Sequence, residues 1–228
     1  MPQDRDDTLR IAYLGDSWAF MHREHNCIIS TIVKDAIHRP VKVHSYGMCG
    51  LTSKEFYESI FNNADFKHFL QIRRYEYCFI SIGINDTYKK MSTIYYQQSM
   101  EYIIRFFLDN HIHPIFLEIP DYDIYKSFNR QELSRKMLRH ISMFINKTPL
   151  DCKQLFRNAL DEVIIKNNYT KEVRIIRYLA WNDQSAKDWE MIYQDDGIHL
   201  NRKGYVRLDS CIAEACISHY KGKQHGKN

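Results

Sequence analysis

The sequence predicts an α/β fold in which helices cover both faces of a parallel, five-stranded sheet. The chain of 228 residues alternates apolar runs of strand length with stretches of helical periodicity. Its apolar runs are continuously hydrophobic, which is typical of strands that are buried on both faces of a parallel sheet. Regular alternation of strands and helices places helices on the two faces of such a sheet.

Five apolar runs are the predicted strands. They cover residues 9–15, 41–46, 75–82, 114–119 and 173–179. Crossovers between parallel strands are right-handed, so the carboxyl ends of the strands meet at one edge of the sheet. Ligands of open α/β sheets bind at that edge, which makes it the place to look for functional residues.

Helices are predicted between these strands and after the last one. Apolar residues at helical spacing cover 18–37, 53–72, 93–110 and 203–220. Pro40 stops the first of these helices and Asn110 ends the third. Asn201 is a suitable N-cap for the last helix.

The stretch 121–168 is longer than a minimal alternation of strands and helices needs. It predicts a helical insertion with helices over 131–145 and 151–165, broken near Pro149. Because the insertion follows the fourth strand, it begins at the edge where ligands bind. We expect residues 1–220 to form a single domain and residues 221–228 to form a disordered basic tail.

Composition narrows the classes of function. The net charge of +4 comes from 32 basic and 28 acidic residues, and three of the lysines lie in the tail. The remainder carries too little positive charge for a nucleic-acid partner. No apolar run reaches the roughly 18 residues of a membrane-spanning helix. The polar, acidic N-terminus does not resemble a signal peptide, which predicts a cytoplasmic protein.

The six cysteines do not form a C-x-x-C pair, and several lie within apolar runs. This distribution predicts buried free thiols rather than disulfides or a zinc site. Neither a metal ion nor an organic cofactor is required by the catalytic chemistry that the motifs described next support.

Polar motifs lie where three of the predicted strands end. Ser17 follows the first strand in a Gly-Asp-Ser sequence, Gly50 follows the second strand and Asn85 follows the third. Asp196-Gly197-Ile198-His199 precedes the last helix and reaches the same edge. Each motif alone is common in turns and helix caps. Their joint occurrence, in this order and at one edge, predicts a functional site.

The residue types in these motifs suit nucleophilic catalysis. A serine hydroxyl such as that of Ser17 needs a base, and the imidazole of His199 titrates near neutral pH. Asp196 can hold the other ring nitrogen of His199. The N–H groups of Ser17 and Gly50 and the amide of Asn85 are candidate donors to an oxyanion.

In these four motifs the chain resembles the SGNH hydrolases of the GDSL-type esterase and lipase superfamily. The resemblance covers roughly residues 9–120 and 173–218. It implies a flavodoxin-like three-layer α/β/α sandwich, with Ser17 as the nucleophile and Asn85 as the side-chain oxyanion donor. Gly50 matches the second motif of the family better than Gly47, because Thr52 follows it. Trp18 stands where members of the family often have leucine.

The predicted function is therefore that of a serine esterase working through an acyl-enzyme on Ser17. The expected substrate is a small-molecule or glycan ester, with a short acyl group such as acetyl on a carbohydrate or similar alcohol. Acyl transfer to a sugar, lysophospholipase or thioesterase activity, and glycan binding without turnover remain open alternatives, as does the oligomeric state. A nucleotide-binding function is disfavoured, since neither G-x-G-x-x-G nor a P-loop occurs.

Aromatic residues near the motifs suggest where a substrate would lie. We take Trp18, Tyr88, Trp181 and Trp189 as candidates for a substrate rim, although core packing is the usual role of such residues. Residues 121–150 also hold six basic side chains against three acidic ones. Such an excess indicates either a solvated helix face or a cap that favours anionic glycans.

Overall fold

The computed structural model describes residues 7–24, 26–181 and 191–225. It confirms the α/β class and the five-stranded parallel sheet, in the spatial order β2-β1-β3-β4-β5. The strands are β1 (Leu9–Gly15), β2 (Val41–Gly47), β3 (Tyr77–Ser81), β4 (His113–Leu117) and β5 (Arg174–Ile176). Each observed strand falls within two residues of its predicted start, and β5 is shorter than predicted.

The order of the strands explains their hydrophobicity. Every residue of the central strands β3 and β4 is buried, as are all but one of those of β1. The edge strand β2 is mostly half-buried and carries more polar residues, including Lys42, His44 and Ser45. Central strands of a parallel sheet contact helices on both faces, so they require apolar residues throughout.

Ten α-helices connect and flank the strands within the described residues. They are α1 (Ser17–Met21), α2 (Asn26–Ile37), α3 (Ser53–Asn62), α4 (Ala64–Gln71), α5 (Ile84–Lys89), α6 (Thr93–Asp109), α7 (Ile124–Asn129), α8 (Leu133–Asn146), α9 (Lys153–Lys166) and α10 (Arg202–His225). α2 packs against α10, whereas α6 packs against α3 and α9. These two groups form the helical layers that bury the sheet. Over the described residues, no helix has both the length and the apolarity needed to cross a membrane.

Two predicted helices are each broken into shorter ones. The helix predicted over 18–37 divides into α1, a 3-10 turn at His22–Glu24 and α2. His22 is fully buried at this break, and its ring contacts Ser45 and Asp209. The helix predicted over 53–72 divides at Asn63, whose extended backbone leaves α3 and whose side chain caps α4 by accepting from the Phe66 N–H, 3.0 Å away.

The C-terminal tail also differs from the prediction of disorder after residue 220. α10 continues through His225, so residues 221–225 belong to a helix. Lys221 and Lys223 lie in its last turns, where positive charge interacts favourably with the helix dipole. Residues 226–228 lie outside the described part of the chain.

Gly47 and Gly50, at the end of β2 and in the loop after it, are required for different structural reasons. A Cβ on Gly47, at the end of β2, would lie 2.1 Å from the backbone nitrogen of Phe20 and 2.5 Å from the carbonyl oxygen of Asp16. Gly50, in the following loop, has open space around such a Cβ, but its φ of +77° is one that L residues rarely adopt. Gly47 therefore permits the close approach of β2 to α1, and Gly50 permits a turn.

We predict that Gly47→Ala destabilises the fold much more than Gly50→Ala. The first substitution forces backbone atoms apart and costs about 3 kcal/mol or more, whereas the second costs about 1–2 kcal/mol of left-handed backbone strain. Gly222→Ala, in open space on α10, is the control and should be neutral or stabilising. Urea unfolding of the three variants measures this order, and equal losses at positions 47 and 50 would contradict it.

Candidate active site

Ser17 lies at the junction between β1 and α1. β1 ends at Gly15, and Asp16 is the N-cap of α1, its Oδ1 accepting from the Trp18 N–H at 3.0 Å. Ser17 is the first residue of the helix and is half-buried. N–H groups in the first turn of a helix have no partner within the helix, so the one at Ser17 points out of the helix start, where it can bind an anion.

His199 reaches Ser17 from a loop 182 residues further along the chain. Its Nε2 lies 2.9 Å from Ser17 Oγ, and its Nδ1 lies 2.5 Å from Asp196 Oδ2. Hydroxyl, imidazole and carboxylate thus form one continuous chain of hydrogen bonds. The structure brings these three predicted residues together, with the His199 side chain only partly exposed.

Asp196 holds its own loop as well as the imidazole. Its Oδ1 accepts from the N–H groups of Ile198, at 2.9 Å, and His199, at 3.0 Å. Partial burial acts to raise the Asp196 pKa, but these hydrogen bonds and the one from the His199 ring outweigh it and lower the pKa. The carboxylate therefore stays ionised at neutral pH and orients the ring.

Asn85 lies next to the same helix start, in the first turn of α5 after β3. Its Nδ2 donates to the Leu51 carbonyl oxygen, at 3.1 Å, and to Asp16 Oδ2, at 3.2 Å. Leu51 directly follows Gly50, so these contacts join the loops after β1, β2 and β3. Both hydrogens of the Asn85 amide have an acceptor within the protein.

Two buried carboxylates support this arrangement, and the sequence analysis gave neither a role. Asp16 is fully buried, and burial raises its pKa to about 7 although the Trp18 N–H opposes the rise. Asp86 accepts from Ser53, 2.9 Å from its N–H and 2.7 Å from its hydroxyl, and burial raises its pKa to about 6. Both aspartates adjoin predicted site residues, and that adjacency is the signal that could have identified them.

The predicted aromatic rim is wrong for the two tryptophans that the structure describes. Trp18 and Trp181 are buried and meet edge to face, with ring centroids 6.0 Å apart. Because Ser17 begins a helix, the next side chain turns into the core. Tyr88 is half-buried, and the Arg139 guanidinium covers its ring at 3.8 Å. Trp189 lies outside the described residues.

A second hydrogen-bonded set of the same residue types lies inside the protein. His22 Nδ1 is 3.1 Å from Ser45 Oγ, and His22 Nε2 is 2.6 Å from Asp209 Oδ1. His22 and Asp209 are completely buried. This set ties α10 to β2 and to the segment after α1, and its histidine and carboxylate are closed to solvent.

Neither metal ligation nor disulfide bonding is evident among the described residues. No group of three or more His, Cys, Asp and Glu side chains there is placed to hold a metal ion. Cys49, Cys78, Cys152, Cys211 and Cys216 are free thiols.

The arrangement suits nucleophilic attack on a carbonyl group. An imidazole that accepts a proton from a serine hydroxyl, and is itself held by a carboxylate, raises the nucleophilicity of that hydroxyl. The N–H of Ser17 at the start of α1 and the Asn85 amide, which contacts the N-cap Asp16, are candidate donors to the negative charge that develops on a carbonyl oxygen.

Several solved structures share the fold of this chain. A lipase/acylhydrolase from Enterococcus faecalis shares 16% identity over 92% of this chain and 96% of its own, with a TM-score of 0.61. A GDSL-like lipase from Bacteroides thetaiotaomicron shares 14% identity over 96% and 91%, with a TM-score of 0.58. The acetyl xylan esterase AlAXEase shares 14% identity over 91% and 99%, with a TM-score of 0.60.

No protein-family profile matches the sequence, and no curated protein sequence matches it. The similarity thus lies in the fold, which is that of GDSL-type lipases and acylhydrolases. It extends along almost the whole length of both this chain and the compared proteins.

We predict that Asp16 makes the protein less stable as the pH rises from about 4 to about 7. Its pKa is raised from 3.8 in the unfolded chain to about 7, so the folded state binds the extra proton throughout this window. The stabilisation, of the order of 4 kcal/mol at about 1.4 kcal/mol per pKa unit, is complete below pH 4 and lost through pH 7.

Asp16→Asn removes this titration and leaves that of Asp86. Urea unfolding at several pH values should show a shallower loss of stability in the variant than in the wild type. Parallel pH profiles of the two proteins would contradict the raised Asp16 pKa.

Proposed function

We propose that the protein is an ester hydrolase of the GDSL type, a member of the SGNH superfamily, that works through an acyl-enzyme on Ser17. The observation that carries this proposal is the chain of hydrogen bonds from Ser17 Oγ through His199 to Asp196, with distances of 2.9 and 2.5 Å. The shared fold with lipases and acylhydrolases supports it. We further propose that helices α7 to α9 are an insertion into a single hydrolase domain.

In the proposed reaction, Ser17 Oγ attacks the ester carbonyl while His199 Nε2 takes the hydroxyl proton. Asp196 stabilises the imidazolium that forms. His199 then gives the proton to the departing alcohol, which leaves an acyl group on Ser17. Water, deprotonated by His199, attacks this acyl-enzyme and releases the acid.

The oxyanion would lie among the N–H groups of Ser17 and Gly50 and the amide of Asn85. One hydrogen of that amide points to Asp16 in the free protein. When Asp16 is protonated it is a weaker acceptor, which favours sharing this hydrogen with the oxyanion. We therefore propose that Asp16 positions Asn85 and does not itself touch the substrate.

A short acyl group, such as acetyl, on a carbohydrate or similar alcohol is the substrate we propose. With Trp18 and Trp181 buried, they do not form a wall for a long acyl chain at the hydroxyl. The similarity of the fold to that of an acetyl xylan esterase supports an acetylated glycan as the first candidate.

We predict that Ser17→Ala abolishes ester hydrolysis, because no acyl-enzyme can then form. The loss is measured with p-nitrophenyl acetate, butyrate and octanoate, and then with acetylated xylan. The activity of the wild type should fall as the acyl chain lengthens. Ser45→Ala is the matched control and should keep activity, since Ser45 also contacts a histidine that is held by a carboxylate, but that histidine is His22 and the carboxylate is Asp209. Wild-type activity in Ser17→Ala would overturn the proposal.

We predict that Asn85→Ala lowers kcat by about 10²–10³ with little change in KM, as expected for one lost oxyanion donor. Single-turnover acylation of Ser17 by p-nitrophenyl acetate measures the step directly. A loss below about tenfold would remove Asn85 from the oxyanion site. Adding a sugar acceptor to the wild-type reaction distinguishes hydrolysis, which releases free acid, from acyl transfer.

A further inference from the structure

The helix α8 exposes its apolar face, and the residue that it buries is a cation, Arg139. Its exposed large side chains are Leu133, Met137, Leu138, Ile141, Phe144 and Ile145, and Phe144 is 86% exposed. At 100° per residue these positions span an arc of about 140°, which is a continuous apolar face. A surface helix of a globular protein ordinarily turns such a face inward.

The opposite face of α8 is fixed to the body of the protein by polar groups. The Arg139 guanidinium lies 3.8 Å from the Tyr88 ring centroid and 5.4 Å from that of Phe128, and Arg139 is only 4% exposed. Asn146 Nδ2 donates to the Lys90 carbonyl oxygen at 2.8 Å. These contacts hold α8 in the orientation that turns its apolar face outward.

Burying the Arg139 guanidinium costs free energy of desolvation. The apolar face of α8 does not offset this cost, because it remains in water. Both Nη atoms lack a hydrogen-bond partner among the described residues. Cation–π contact with Tyr88 returns part of the cost of desolvating the guanidinium. A helix that leaves its apolar face in water gains little from burial, so a partner of α8 would have to supply it.

The charge around this face indicates what that partner is. Residues 124–147 contain six basic residues and one acidic residue, a net charge of +5, whereas the whole chain carries +4. The rest of the protein is thus net negative by one charge. The six are Lys126, Arg130, Arg135, Lys136, Arg139 and Lys147, and α8 itself has no acidic residue. Two copies meeting through this face would repel each other, whereas an anionic surface attracts it.

We propose that α8 docks the protein onto an anionic lipid bilayer. The helix lies in the plane of the interface, with its apolar face among the upper acyl chains and with the exposed residues Arg135 and Lys147 at the headgroups. This docking is peripheral, and α8 does not cross the bilayer. It is independent of the ester hydrolysis proposed for Ser17.

Helix α7, which precedes α8, is attached to the loop that carries His199. Arg130 Nη1 donates to the Asp195 carbonyl oxygen at 3.2 Å, and the Asp123 N–H donates to the Gly197 carbonyl oxygen at 3.1 Å. These bonds tie both ends of α7 to the segment around Asp196. The docking helix α8 is thus connected through α7 to the loop of the proposed site.

Sedimentation with lipid vesicles tests this proposal. The full chain should sediment with vesicles of phosphatidylcholine mixed with phosphatidylserine, and much less with phosphatidylcholine alone. Replacing three residues at the centre of the face should lower the partition coefficient about a hundredfold or more. The variant combines Met137→Ser, Ile141→Ser and Phe144→Ser.

The matched control removes equally exposed apolar residues elsewhere on the protein. It combines Ile94→Ser, Ile165→Ser and Leu179→Ser, which lie outside α8 and are each more than 60% exposed. This control should sediment like the wild type. Circular dichroism melting should be close to wild type for both triple variants, because all six side chains are on the surface.

The charges are tested separately with Arg135→Gln and Lys147→Gln, both of which are exposed. Each should weaken binding to the anionic vesicles by about fivefold and reduce its dependence on salt. The proposal would be overturned if the wild type failed to sediment with the anionic vesicles. It would also be overturned if the two triple variants sedimented with them equally. A dimer in analytical ultracentrifugation that only the α8 triple variant converts to monomer would assign the face to a second copy instead.

Discussion

The close approach of β1 to its two neighbours at Gly15 determines where the site can form. Gly15 is in register with Gly47 of β2 and with Ser81 of β3, so the three strands end at one level. A Cβ on Gly15 would lie 2.0 Å from the Ser81 carbonyl oxygen. That oxygen accepts from the Asp16 N–H, at 3.2 Å, and the Gly15 carbonyl accepts from the Met48 N–H, at 3.1 Å. The loops that follow therefore leave the sheet side by side.

Buried polar groups next to Ser17 keep these loops together. Asp16 joins the start of α1 to Asn85, and Asp86 joins α5 to the start of α3 through Ser53. Burying two carboxylates so close together is unfavourable unless they are protonated or well hydrogen-bonded, and the raised pKa values of both reflect this cost. Such strained electrostatics are common where a protein positions groups for chemistry.

Much of this arrangement follows from local sequence patterns. The five strands could be predicted because each is a short, continuously apolar run, and the set of Ser17, Asn85, Asp196 and His199 could be predicted because parallel strands end at one edge. The same reasoning recovers α8 and α9 approximately, since the region around Pro149 separates two periodic stretches.

Other features depend on tertiary contacts that no local pattern contains. The break at His22 follows from a partner 187 residues away. The burial of Trp18 follows from the direction in which α1 leaves the sheet, and the outward face of α8 follows from the contact of Arg139 with Tyr88. A hydrophobic pattern predicts that a helix has an apolar face, but the direction of that face depends on what the rest of the helix binds.

The last helix has a consequence for when the site can exist during synthesis of the chain. α10 holds the segment around Ser17 in two places, through Asp209 with His22 and through the Tyr205 hydroxyl, which donates to the Trp18 carbonyl oxygen at 3.1 Å. Both contacts close loops of 187 residues, and such distant contacts form late in folding. A ribosome-bound chain that still lacks α10 cannot make either contact. The two contacts that hold the segment around Ser17 thus form only after α10 has been synthesised.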